Sequence, residues 1–249
     1  MNLHARPVLS LAAATLGALT LAIGAAHADA PPYDTTDTGI ADKLELTSFL
    51  RVAAHPGAHF NTLGFDLAVP LGERWDLTLV PRFAESRHGD RRAAGFGDTE
   101  VALKYLVQAE TDSRPAIAFE PNLTFPTGGK RLGEGRIAME LPVLVSKNFG
   151  PWKLSGQIGF ERVGFEAGDD HAPLSLLLER TWGERLTLGV EVANDLPMRR
   201  PGHGSSEVNV GASWVIRDGL VLQTAFGRRL AGEDTSADLH STLAFAVEF

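Results

Sequence analysis

Apolar and polar residues alternate with a period of two along most of this sequence, and this pattern constrains the fold more than any other feature. A clear example runs from Trp75 to Phe83, where Trp75, Leu77 and Leu79 alternate with Asp76 and Thr78. Successive side chains of a β-strand point to opposite faces of its sheet. Each such stretch is therefore predicted to be a strand with one apolar face and one polar face.

The same alternation predicts twelve strands along the chain. Their lengths of about nine to twelve residues match the ~9–11 residues that a tilted strand needs to cross a membrane. The predicted strands are 43–53, 61–70, 75–83, 99–108, 115–125, 137–146, 152–161, 172–181, 185–194, 206–216, 220–228 and 238–249. After residue 30, no apolar run approaches the ~18 residues of a transmembrane helix.

The predicted connections alternate in length. The short ones are 71–74, 109–114, 147–151, 182–184 and 217–219. The long ones are 54–60, 84–98, 126–136, 162–171, 195–205 and 229–237. Outer-membrane barrels combine an even strand number with short periplasmic turns and longer outer loops. We therefore predict an all-β fold, an antiparallel up-and-down transmembrane β-barrel of about twelve strands over residues 43–249, with both termini in the periplasm.

The first 28 residues have the features of a secretory signal peptide. Arg6 precedes the uncharged segment 8–26, and Ala26-His27-Ala28 matches the small-x-small box that signal peptidase recognises. A transmembrane helix is the alternative, because nineteen apolar residues nearly span a bilayer. We predict a signal peptide at 1–28, a periplasmic segment at 29–42 and localisation in the outer membrane. Whether residues 29–42 enter the barrel as a plug stays open.

Composition excludes several classes of protein. The chain contains no cysteine, so a lipoprotein anchor and a disulfide framework are both excluded. The formal net charge of −8 becomes −9 when Arg6 is removed with the leader. An acidic exported chain is a poor binder of nucleic acid, because it has no excess of positive charge to neutralise phosphates.

The last predicted strand ends at the chain terminus in Phe249, and Leu243, Phe245 and Val247 share its apolar face. An alternating strand with a terminal aromatic residue resembles the signal by which the barrel-assembly machinery recognises its clients. We predict this machinery and the lipid of the outer membrane as partners of the chain.

Charged side chains, mostly carboxylates, are frequent on the faces predicted to point inward. A charge facing lipid is costly, so these side chains should line the lumen. The candidate lumen-lining residues are Glu45, Arg51, Asp66, Asp76, Arg82, Glu100, Lys104, Glu120, Glu140, Lys153, Glu161, Glu179, Glu191 and Glu207. They indicate an ion-paired interior that supports the wall, a pore that prefers cations, or both. Twelve strands give a backbone radius of roughly 12 Å, so only small or slender solutes fit past the side chains.

No catalytic, cofactor-binding or metal-binding residues are predicted. A barrel lipase needs a nucleophile with an orienting partner, whereas the adjacent His240 and Ser241 point to opposite faces. His55 and His59 flank a turn in a predicted outer loop, where metal binding and ordinary turn composition explain them equally well. The glycine-rich basic stretch 127–131 lacks P-loop spacing. We interpret it as a loop tip that meets lipopolysaccharide.

Four stretches in the middle of the chain resemble a known family. Residues 95–105 fit its G-x-G-D-x-x-x-x-x-K-Y segment, residues 121–129 its P-x-L-x-x-P-T-G segment, and 133–135 and 148–152 follow. This family is named for the meta-pathway of phenol degradation and is described as a transporter. The resemblance is good over residues 95–160 and extends elsewhere only to the barrel pattern. It implies an outer-membrane barrel that moves small or aromatic compounds, and it carries no catalytic or binding residues.

Three functions follow from these observations. The first is an outer-membrane channel or transporter for small solutes, including aromatic or hydrophobic ones. The second is a structural or surface-interaction barrel whose lumen is plugged by its own side chains. An outer-membrane lipid enzyme is the third and the least supported, because no nucleophile has a visible partner.

Overall fold

A computed structural model describes residues 32–129, 132–164, 170–198, 204–232 and 238–249. The predicted signal peptide, residues 1–28, lies outside these ranges, as do residues 130 and 131 of the predicted basic loop tip. Within them, all regular secondary structure is β-strand. None of the described residues belongs to a helix that is long and apolar enough to cross a membrane.

One antiparallel sheet contains all the strand segments of the described residues. They are β1 (Glu45–His55), β2 (Ala58–Gly72), β3 (Trp75–Val80), β4 (Arg82–His88), β5 (Arg91–Phe96), β6 (Thr99–Gln108), β7 (Ala116–Phe119), β8 (Asn122–Phe125), β9 (Ala138–Glu140), β10 (Val143–Phe149), β11 (Trp152–Ile158), β12 (Glu161–Val163), β13 (Asp170–Trp182), β14 (Leu186–Pro197), β15 (Ser205–Arg217), β16 (Leu220–Gly232) and β17 (Leu239–Glu248).

The sheet closes into a barrel because β1 pairs with β2 on one side and with β17 on the other. Five transmembrane strands consist of two consecutive segments each, namely β3–β4, β5–β6, β7–β8, β9–β10 and β11–β12. The other seven are uninterrupted. The structure thus confirms a closed antiparallel barrel of twelve strands, in which every predicted strand is present.

Proline explains three of the five interruptions. Pro81, Pro121 and Pro142 stand between the paired segments, and a proline has no N–H to donate to a neighbouring strand. Their carbonyl groups still accept hydrogen bonds. The N–H of Phe65 donates to Pro81 at 3.2 Å and that of Leu103 to Pro121 at 3.1 Å. Strand pairing therefore continues across each break, and the wall stays closed.

Two predicted long outer loops are wrong. Residues 84–98 contain most of a hairpin, β4–β5, in which Phe83 pairs with Phe96 and His88 with Arg91. In the same way, β1 and β2 extend to a tight turn after His55. Beyond the membrane both faces of a strand meet water, so the apolar alternation that marks a strand disappears while its backbone pairing continues.

The outer face of the barrel is apolar. On β13, the side chains of Leu174, Leu176 and Leu178 are exposed, whereas Ser175 and Leu177 between them are buried. Large exposed apolar surfaces are unusual on soluble monomers. A band of outward apolar residues is the surface that a transmembrane barrel presents to lipid.

Tryptophans lie beside the short turns and locate one membrane interface. Arg180 packs between two of them, with its guanidinium carbon 5.0 Å from the ring centroid of Trp152 and 4.8 Å from that of Trp182. Trp75 stacks on Tyr105 with centroids 4.2 Å apart. Such aromatic girdles sit at headgroup level, so the short turns form one end of the membrane-embedded band.

Candidate functional site: the barrel lumen

The described part of the N-terminal segment, residues 32–43, lies inside the barrel. Sequence analysis predicted a periplasmic segment at 29–42 and left open whether it enters the barrel as a plug. Going backwards along the chain from the start of β1, the segment turns into the lumen, where its backbone amides meet inward carboxylates. The N–H of Ala41 donates to Asp76 at 3.1 Å, and the hydroxyl groups of Thr38 and Ser146 share a hydrogen bond. The segment therefore occupies part of the lumen as a plug.

Glu191 on β14 is the main anchor of the plug. Its side chain is fully buried and accepts the backbone N–H groups of Asp34 and Thr35 at 3.1 and 2.5 Å, and the Thr35 hydroxyl at 2.5 Å. The amide of Asn209 donates to the same carboxylate at 2.6 Å, while the Ser175 hydroxyl lies 2.7 Å from the Thr35 hydroxyl oxygen and can donate to it. A buried carboxylate is stable only when such donors surround it, and here the plug supplies three of them.

Ion pairs also join the plug to the wall. They are Asp34–Arg51 at 2.9 Å, Lys43–Glu248 at 2.9 Å and Asp37–Lys153. Acidic and basic residues of the plug thus each find a wall residue of opposite sign. Since these pairs are spread along the segment from Asp34 to Lys43, they hold the plug to the wall at several points.

A cavity of 370 Å³ remains beside the plug. Its charged lining comprises seven carboxylates and two bases. These residues are Asp34, Glu45, Asp66, Asp76, Glu100, Glu120 and Glu140, with Arg82 and Lys104. An excess of fixed negative charge around a confined space attracts cations and repels anions.

The two bases of the cavity are both paired. Arg82 lies 2.5 Å from Glu100, and Lys104, only 2% exposed, lies 3.6 Å from Glu120. The lumen thus contains ion pairs that support the wall and, beside them, carboxylates that face the cavity. Ion pairing is therefore present in the lumen, and the preference for cations stays a prediction.

The structure places the fourteen candidate lumen residues in three groups. Eight line the cavity, namely Glu45, Asp66, Asp76, Arg82, Glu100, Lys104, Glu120 and Glu140. Three others bind the plug, namely Arg51, Lys153 and Glu191, and Asp76 of the first group also accepts a hydrogen bond from it. The last three lie nearby. Glu161 is in register with Glu140, Glu179 lies beside Tyr33, and a Glu207 oxygen is 3.8 Å from His240 Nδ1.

Asp98, at the barrel mouth, was not among the predicted site residues. It is buried and accepts the backbone N–H groups of Gly128 at 2.9 Å and Glu134 at 2.7 Å, which ties the outer loop to the mouth. An added Cβ on Gly133 would lie 2.0 Å from an Asp98 oxygen, so only glycine fits there. In the sequence, Asp98 stands out only as part of the family motif. Its hydrogen-bond partners follow 30 and 36 residues later, so no local pattern connects them to it.

Neutral polar residues of the site were also missed. Asn209 and Ser175 occupy inward positions that the alternation indicates, but only charged residues were counted there. Thr35 belongs to a stretch without periodicity, so no local pattern predicts its partner. The adjacent pair considered for catalysis is split as expected, with His240 buried and Ser241 exposed.

The apolar exterior, the closed sheet and the polar, occupied lumen define the class of protein as a transmembrane β-barrel. Residues 35–236 match the family described as "MetA-pathway of phenol degradation". The chain belongs to this family, which confirms the resemblance found in its middle third and extends it over most of the barrel.

Solved structures share this architecture. An outer membrane channel from Pseudomonas putida F1 is 16% identical, with a TM-score of 0.70 over 88% of this chain and 100% of its own. The KdgM porin is 12% identical, with a TM-score of 0.58 over 82% and 99% of the two chains. The NanC porin is 9% identical, with a TM-score of 0.55 over 83% and 98%. At these identities the similarity establishes the fold. No curated protein matches the sequence significantly.

Proposed function

We propose that this protein is an outer-membrane channel for small solutes, that it prefers cations, and that the N-terminal segment closes it at rest. The observation that carries the proposal is the acidic cavity beside the plug, lined by seven carboxylates and two bases. Names of similar structures, an outer membrane channel and two porins, agree with transport, as does the family.

The size of the cavity restricts the solute. Its 370 Å³ lies near the lower end of the ~300–1,000 Å³ that small-molecule sites occupy. A single-ring aromatic compound or a small amine fits this space, whereas an oligosaccharide does not. Among aromatic solutes of equal size, the acidic lining favours a cation such as benzylammonium over an anion such as benzoate.

The selectivity part of the proposal is tested with purified protein in planar bilayers under a KCl gradient. We expect channel openings with a reversal potential that indicates preference for K⁺ over Cl⁻. Liposome uptake should be faster for benzylammonium than for benzoate. Anion preference, or equal uptake of the two aromatic ions, would contradict the cation-selective channel.

The closure part is tested by comparing the mature chain with a refolded chain that begins at residue 43. Removing the plug deletes every contact described for residues 32–42, so conductance should rise several-fold. Equal conductance of the two chains would contradict closure by the plug.

A plugged structural barrel is the second candidate, and the dense bonding of the plug favours it. Glu191 alone receives three hydrogen bonds from the segment. This candidate predicts that the mature chain neither conducts ions nor swells liposomes, and that only the truncated chain does so. The two candidates therefore differ in the behaviour of the intact protein.

We also propose the cellular setting on the same basis. The signal peptide directs export, and the last strand, ending in Phe249, is recognised by the assembly machinery. At the outer surface, the hairpin β4–β5 exposes Arg87, Arg91 and Arg92, which suits contact with the phosphates of lipopolysaccharide. Heat-dependent mobility on gels and recovery in outer-membrane fractions test this setting.

A further inference from the structure

A cluster of metal-ligating side chains joins the plug to the wall. Asp34 belongs to the plug, Glu207 to β15 and His240 to β17, and one ligand atom from each lies within 4.8 Å of the others. The three residues come from distant parts of the sequence. Their meeting depends on the plug being in the lumen, because only Asp34 is not part of the wall.

The register of the sheet opens a gap at this cluster. Asn209 on β15 pairs with Gly227 on β16, which pairs with His240 on β17. An added Cβ on Gly227 would lie 2.1 Å from Asn209 Oδ1 and 2.2 Å from His240 Nε2. These two atoms therefore border one space that glycine alone leaves open.

Asn209 provides a second, independent indication of a ligand. Its side chain is 1% exposed, and its Nδ2 donates to Glu191 at 2.6 Å, which fixes the orientation of the amide. The carbonyl oxygen, Oδ1, is buried and has no hydrogen-bond partner among the described residues. Buried acceptors in native proteins nearly always have a partner, and a cation beside His240 would supply one.

The local charge favours a cation as well. Two carboxylates, Asp34 and Glu207, meet a single guanidinium, Arg51, which lies 2.9 Å from Asp34 Oδ1. Asp34 Oδ2 accepts a long hydrogen bond from the Asn209 amide at 3.5 Å, and the Asp34 and Glu207 carboxyl groups hydrogen-bond to each other through a proton that a bound cation would replace. Imidazole nitrogen with carboxylate and amide oxygen is a ligand set for Zn²⁺ and similar first-row divalent ions. Ca²⁺ and Mg²⁺ prefer oxygen ligands alone.

We propose that Asp34, Glu207 and His240, assisted by Asn209 Oδ1, form a divalent transition-metal site that fastens the plug to the barrel wall. The side chains must close in slightly, since ligand bonds to Zn²⁺ are ~2.0–2.2 Å long. Because a plug that leaves the lumen takes Asp34 with it, metal binding and closure are coupled. Each favours the other by the same factor.

Metal binding is tested on the folded mature barrel in detergent, stripped with EDTA and titrated with ZnCl₂ by calorimetry. We expect one Zn²⁺ per chain and much weaker binding of Mg²⁺. Asp34→Asn and His240→Gln should each weaken Zn²⁺ binding at least ~tenfold. Asp34 lies outside the wall, so its replacement leaves the barrel able to fold, which a heat-shift gel verifies.

His171→Gln is the matched control, because His171 lies 2.7 Å from Asp195 in another histidine–carboxylate pair that belongs to no three-residue cluster among the described residues. It should leave Zn²⁺ affinity unchanged. The absence of Zn²⁺ binding by the intact barrel, or binding that neither Asp34→Asn nor His240→Gln changes, would overturn the site.

Coupling to the plug has its own readout. Micromolar Zn²⁺ should protect the N-terminal segment of the mature chain from protease, and this protection should be absent in His240→Gln. Protection that is equal in the two proteins would overturn the fastening role. This assay needs no conductance, so the result holds whether or not the barrel proves to be a channel.

Discussion

Glu191 and Asp66 follow the same sequence rule, since each is a carboxylate at an inward position of a strand, yet they lie in different surroundings. Glu191 is fully buried under the plug and accepts three of its hydrogen bonds. Asp66 is half-buried and faces the 370 Å³ cavity. An inward acid can therefore be an anchor or a pore charge, and the plug decides which.

The cavity side of the lumen, around Asp66, and the anchor side, around Glu191, also differ in what balances their negative charge. On the cavity side the wall supplies its own base, Lys104, which is 2% exposed beside Glu120. On the anchor side the donors belong mostly to the plug. Mutations on the cavity side should therefore change wall stability and selectivity, and mutations on the anchor side should change closure.

The largest effect is expected for Lys104→Met. Removing one partner of a buried ion pair leaves uncompensated charge and costs about 3–5 kcal/mol. The unfolding midpoint in urea, followed by tryptophan fluorescence, should fall clearly while the plug stays bound. Arg92→Met is the control, because Arg92 is exposed in its pair with Glu85 on the hairpin β4–β5, where an ion pair contributes little to stability. Equal urea midpoints for the two variants would contradict the claim that Lys104 compensates the buried carboxylates on the cavity side.

Glu191→Ala should release the plug. Hydrogen bonds to a charged group contribute about 1.5–3 kcal/mol each, and this variant removes three that the plug donates. Single-channel conductance should rise several-fold, towards that of the chain lacking residues 32–42. Glu191→Gln retains an acceptor oxygen and should give a smaller rise. Asp66→Ala should leave closure intact, and a similar rise in that variant would remove the distinction between the two sides.

Selectivity should respond on the cavity side. Neutralising Asp66 and Glu140 together, as Asp66→Asn and Glu140→Gln, removes two of seven lining carboxylates. We expect the K⁺/Cl⁻ permeability ratio to fall by about twofold. Glu184→Gln removes an exposed carboxylate from a short turn outside the lumen and serves as the control. A permeability ratio that the double variant leaves unchanged would show that these groups do not face the permeating ion.

The smallest effect is expected for a carboxylate outside the lumen. Burial raises the pKa of Glu110, but hydrogen bonds from Lys147 and Asn148 outweigh it and hold this pKa below its usual range. The resulting stability is present above the ordinary pKa of glutamate and is lost as pH falls through the lowered value. Glu110→Gln should therefore lower the melting temperature slightly at pH 7 and not at pH 3. Equal losses at both pH values would contradict this role.

Alternation along the chain predicted all twelve strands, because lipid on one face and a polar lumen on the other impose the pattern directly. The hairpin β4–β5 was missed where water replaces lipid and the constraint ends. For the lumen, alternation predicted inward positions such as Glu191 and Asp66 without separating their roles. That separation depends on Thr35, which contacts Glu191 across 156 residues and stands in a stretch that carries no periodic pattern.

Closure by the plug is tested most directly by locking it in place. Thr38 and Ser146 share a hydrogen bond, and the chain has no cysteine, so Thr38→Cys with Ser146→Cys provides one defined disulfide. We predict that the oxidised protein shows no full openings in planar bilayers and that adding reductant restores the openings of the unmodified chain. Identical conductance before and after reduction of a confirmed disulfide would contradict the account.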